Sequence, residues 1–73
     1  MQLTDAQTKK LLEYNGPIQL KQLALNMALT RMKNLYKQSP GPVTVTKCTM
    51  DLNAMLQKFS SIMQPDYDWI TKL

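Results

Sequence analysis

The sequence predicts an all-α fold, a small three-helix bundle with a long central helix and a short C-terminal fourth helix. Three observations carry that prediction. Apolar residues recur at spacings of three and four over most of the chain, the period of a helix with one buried face. Breaks fall at Asn15-Gly16-Pro17, Ser39-Pro40-Gly41-Pro42 and Pro65, where Gly and Pro end helices. Only Val43-Thr44-Val45-Thr46 alternates with period two, and no second strand is evident for it to pair with.

Helix 1 is expected over about residues 4–15. Thr4 followed three residues later by Gln7 fits a capping box, and Asp5 places a negative charge at the positive end of the helix dipole. Gly16 suits a left-handed C-terminal cap, and Pro17 suits the first turn of the next helix. Helix 2 is expected over about residues 18–38. Gln19, Gln22, Asn26, Thr30, Lys33 and Lys37 form a narrow polar stripe on it, and the remaining circumference is mostly apolar. A surface helix needs an apolar arc of roughly 100°. This one has about twice that, so it reads as a central helix covered from two sides or as the bearer of an interface.

Residues 39–46 read as a Pro/Gly linker followed by an extended segment. Helix 3 is expected over about residues 49–64, with Leu52, Met55, Leu56, Phe59, Ile62 and Met63 on one face. A short helix over about residues 65–72 has Pro65 at its start, Asp66 and Asp68 in its first turn and Lys72 at its end. Trp69 and Ile70 are expected to close the bottom of the core. The whole chain, 1–73, reads as one small helical domain. Met1 and the punctuation that continues to the end suggest a whole small protein, with a domain fragment as the alternative.

Composition excludes more than it selects. Of 73 residues, 44% are hydrophobic, and the mean hydropathy is −0.32, too apolar for a disordered chain. No apolar run approaches the roughly 18–20 residues of a membrane span. The start of the sequence lacks the basic and apolar regions of a secretory signal. A lone thiol without such a signal fits a reducing compartment, so the expected location is cytoplasmic.

No His is present, so Ser-His and Cys-His nucleophile pairs and the commonest general base are absent. Cys48 lies near a helix start beside Lys47, an arrangement that can activate a thiol, but a small buried Cys is the expected role. Asp66 and Asp68 lack the further ligands of a calcium loop, and the two glycines cannot form a phosphate loop. A non-enzymatic protein is therefore expected, without metal or cofactor.

The net charge of +4 is unevenly placed. From Tyr14 to Met50 there is no acid, while Lys21, Arg31, Lys33, Lys37 and Lys47 all fall there. Such a stretch can steer an anionic partner. Gly16-Pro17-Ile18 through Leu23-Ala24 resembles the opening of a helix-turn-helix, with Ala24 as its small residue. Ala28, however, stands where that family turns on Gly, and Asn34 and Lys37 occupy positions it keeps apolar, so the family is not assigned.

The function expected from sequence is that of a small helical protein–protein interaction module, self-associating through an apolar face of helix 2, with a homodimer as one form. Leu25, Leu29, Met32 and Tyr36 are its expected contacts, because they share a face opposite Leu20, Leu23 and Met27. The alternative is a small basic nucleic-acid-binding regulator contacting phosphate through Lys21, Arg31, Lys33, Lys37 and Lys47.

Overall fold

The computed structural model describes the backbone of residues 2–63 and 68–73, with side chains through Ser60 and again from Asp68. Its elements are α1 (Asp5–Glu13), α2 (Leu23–Gln38), α3 (Pro42–Met63) and a 3-10 turn (Asp68–Lys72), with no strand among the described residues. The expected core roles of the Ile62 and Met63 side chains, and the start of the fourth helix at Pro65 and Asp66, lie outside the described residues.

Helix α1 begins with the capping box its sequence predicts. Thr4 Oγ1 accepts from the Gln7 amide at 3.2 Å, and Gln7 Oε1 accepts from the Thr4 amide at 2.9 Å. Two amides at the helix start are thereby satisfied without water. Asp5 sits in the first turn, and its carboxylate also accepts from Thr46 Oγ1 at 2.8 Å, tying the start of α1 to α3. Thr8, Leu11 and Leu12 form the buried face.

Helix α2 starts at Leu23 and not at Ile18. The connection from α1 is therefore an irregular segment, residues 14–22, where sequence predicts a tight corner. Its apolar residues do not face out from an extra helical turn. Leu20 is buried in the core, and Ile18 packs against it. Gln22 supplies no side-chain cap, which is why no start signal is legible there. Gly16 does not take the left-handed conformation expected of it. A Cβ at Gly16 would lie 2.2 Å from the Tyr14 hydroxyl, so any larger residue there would have to displace the Tyr14 ring that folds over it.

Helix α3 begins at Pro42, absorbing the segment expected to be extended. Proline is well placed in a first helical turn, where its missing N–H leaves nothing unpaired. The Val45 amide donates to the Gly41 carbonyl at 3.1 Å, and Gly41 takes a φ of +154° that favours glycine. The β-branched run costs only a few tenths of a kcal/mol per residue in helix propensity. Burial offsets it, since Val45, Cys48, Thr49, Leu52 and Leu56 follow one another at helical spacing on the inner face. With 22 residues, α3 is the longest element, so it takes the place expected of helix 2.

The core is formed by inward residues of all three helices together with Leu3, Leu20 and Ile70, which lie outside them. Asn53 clamps the N-terminal segment. It accepts from the Leu3 amide at 2.7 Å and donates to the Leu3 carbonyl at 3.0 Å, holding Leu3 in the core. At the other end Ile70 is fully buried, and Trp69 stacks obliquely on Tyr14 with ring centroids 5.6 Å apart. The closure of the core expected from Trp69 and Ile70 is thus present. No helix among the described residues is long and apolar enough to cross a membrane.

Candidate interaction surface

The orientation of α2 decides which apolar residues are available to a partner. Its polar stripe is expected to face solvent, but Gln22, Asn26 and Lys33 are half-buried, and the last two reach toward the α1 side. Asn26 Nδ2 donates to the Leu20 carbonyl at 3.1 Å, and the Lys33 ammonium donates to the Tyr14 carbonyl, which closes α1. The irregular segment between the helices leaves carbonyls without helical partners, and these side chains satisfy them. Lys33 also places its positive charge at the negative end of the α1 dipole.

That rotation reverses the expected faces. Leu25 and Leu29 are fully buried and Met32 is 9% exposed, so all three belong to the core and not to an open contact surface. Tyr36 packs at the edge of the core, and its hydroxyl donates to Glu13 Oε2 at 2.9 Å. That hydrogen bond, with smaller contributions from burial and from the Glu13 charge, holds the Tyr36 phenol above its ordinary value. Of the residues expected to turn inward, Leu20 does so, whereas Leu23 is 69% exposed and Met27 is 47% exposed.

Exposed apolar residues also occur on α3. Met50, which falls outside the main stripe of its helix, is 68% exposed, and Val43 is exposed at the helix start. Between the two helices runs a groove lined by Ala28, Arg31 and Met32 from α2 and Asp51, Ala54 and Met55 from α3. The apolar part of its lining is Ala28, Met32, Ala54 and Met55. Exposed Arg31 and Asp51 stand on opposite walls, and no ion pair among the described residues engages either. Sequence reasoning places Met50 outside the core stripe but misses the exposure of Leu23, Met27 and Leu35. The signal lies in Asn26 and Lys33, whose donors are available to carbonyls of an irregular neighbour.

The five bases of the acid-free stretch do not converge. Arg31 and Lys33 are two positions apart, about 200° around the helix. Arg31 borders the α3 groove, and Lys33 is occupied at the end of α1. Lys37 is exposed in the last turn of α2, and Lys47 is exposed on α3. Lys21 lies in the connecting segment, in a cleft with Trp69 and Lys72.

Cys48 occupies the core position expected of it and is 2% exposed. Burial pushes its thiol up from the ordinary value, and nearby Asp51 adds to this, outweighing the lowering effect of Lys47. The activation that adjacency to Lys47 suggests is therefore reversed by the surroundings. Among the described residues, no three His, Cys, Asp or Glu side chains group as a metal site. A crevice between the starts of α1 and α3 carries Asp5, Lys9 and Tyr36, but Asp5 and Tyr36 are engaged with Thr46 and Glu13. No protein-family model matches the chain, and no curated protein or solved structure matches it.

Proposed function

We propose that this protein is a small helical protein–protein interaction module that self-associates, with the outer surface of α2 and α3 as its contact face. The observation that carries this reading is that α2 and α3, which share a groove lined by Ala28, Met32, Ala54 and Met55, also bear Leu23, Met27 and Met50 on their outer sides, each about half exposed or more. Single exposed apolar residues are ordinary, but several large ones on two helices packed side by side are what an interface is built from. Methionine suits such a face, since its flexible, polarisable side chain adapts to a partner.

Sedimentation equilibrium over a wide concentration range tests the reading. The parent protein is expected to associate reversibly, and Met27→Lys and Met50→Lys to remain helical but monomeric. A parent protein that stays monomeric at every concentration overturns self-association. The basic stretch motivates one competing outcome. Binding of a random DNA duplex that is tight at low salt and falls steeply toward physiological salt would favour the nucleic-acid regulator instead.

A further inference from the structure

Given self-association through this face, we infer that the partner is a second copy related by a two-fold axis lying along the α2–α3 groove, and that Arg31 of each copy pairs with the partner's Asp51. The inference deepens the proposed function and rests on it. Three properties of the face lead to it.

The first is charge. The groove holds one cation and one anion on opposite walls, both exposed and neither in an ion pair among the described residues. A uniformly acidic or basic partner would satisfy one and repel the other. A two-fold axis along the groove exchanges the walls, so it sets Arg31 above the partner's Asp51 and repeats the contact in reverse.

The second is direction. Helices α2 and α3, joined only by residues 39–41, run back along one another as a helical hairpin. The same axis lays α2 of one copy on α3 of the other, again antiparallel. Every neighbouring pair in the resulting four-helix bundle is then antiparallel, a common bundle arrangement.

The third is shape. The groove is lined on α2 by the small Ala28 and on α3 by the small Ala54, which leaves room for larger side chains of a second copy to pack over them.

The test exchanges the charges. Arg31→Glu, Asp51→Arg, their equimolar mixture and the doubly substituted chain are compared with the parent by sedimentation equilibrium. Circular dichroism verifies the fold of each, which neither exposed residue supports. Each single variant sets like charges together twice per dimer, so its self-affinity is expected to fall about tenfold or more. In the mixture, the carboxylate introduced by Arg31→Glu in one chain meets the guanidinium introduced by Asp51→Arg in the other. The Asp51 and Arg31 that the two variants retain face each other across the axis, so both contacts become favourable. Restored affinity in the mixture and in the doubly substituted chain supports the arrangement, since a contact within one chain would not be rescued by mixing. A parent that dimerises while the single variants retain its affinity, or while mixing restores nothing, overturns the inferred geometry alone. A parent that never dimerises overturns the proposed function and this inference with it.

Discussion

Replacing Asn53 by Ala removes both hydrogen bonds that hold the N-terminal segment to α3, at 2.7 and 3.0 Å to the backbone of Leu3. Each bond is worth about 0.5–1.5 kcal/mol net, and leaving a partly buried backbone group without a partner adds to the loss, so about 2 kcal/mol is expected. At 0.05–0.15 kcal/mol per residue the whole protein has roughly 4–11 kcal/mol of stability, so this is a substantial share. For a domain of this length the melting temperature falls by about 4–8 °C per kcal/mol, giving a drop of roughly 8–16 °C. Thermal and urea unfolding followed by far-UV circular dichroism measure the loss, and hydrogen exchange at the Leu3 amide locates it. Asn53→Asp separates the two bonds. It keeps an acceptor for the Leu3 amide but sets an oxygen against the Leu3 carbonyl, so the amide stays protected while the melting temperature still falls. The reasoning is refuted if Asn53→Ala unfolds within about 0.5 kcal/mol of the parent with Leu3 exchange unchanged, the range of an ordinary surface substitution.

Leu29→Lys puts a charge at a fully buried site and is expected to exceed the roughly 2–5 kcal/mol of a core Leu→Ala change, leaving a chain without a cooperative urea transition; a parent-like midpoint would return Leu29 to the surface. Cys48 and Tyr36 both hold their protons more tightly than in the unfolded chain. Their contribution is therefore complete below the ordinary thiol value of 9.0 and declines as pH rises through it and through the ordinary phenol value of 10.0. Urea midpoints measured across that range should fall, and less so in a variant carrying Cys48→Ala and Tyr36→Phe. Hydrogen peroxide should convert Met27 and Met50 to sulfoxides before buried Met32, as read by peptide mass mapping, and should weaken self-association in parallel. Equal oxidation of Met32 would show that the α2 faces are assigned the wrong way round.

The parts of the fold legible in the sequence are those fixed by neighbours in the chain. Thr4 and Gln7 form their capping box within four residues, and the inner face of α3 from Leu52 onward follows simple helical spacing. The start of α3 is hidden because Val43–Thr46 favours an extended backbone locally, whereas burial of Val45 beside Cys48 and Leu52 decides for helix. The start of α2 is hidden for the opposite reason. Ile18 and Leu20 carry the spacing of a helix but bury themselves from an irregular segment. The proposed contact surface is half legible. The width of the apolar arc on α2 announces two apolar faces. Which one turns outward depends on the Leu20 and Tyr14 carbonyls, whose places no periodicity encodes.

The brevity of the Ser39–Gly41 connection bears on how the chain finds its fold. Closing so short a loop loses little chain entropy, so α2 and α3 meet early. Leu3 must find Asn53 across 50 positions, and Ile70 must reach a core that begins at the other end of the chain. A transition state in which the α2–α3 hairpin has condensed and the two ends still search follows from that difference. Truncating Leu29 in a mild form, Leu29→Ala, should then slow refolding, whereas Asn53→Ala should leave refolding almost unchanged and accelerate unfolding.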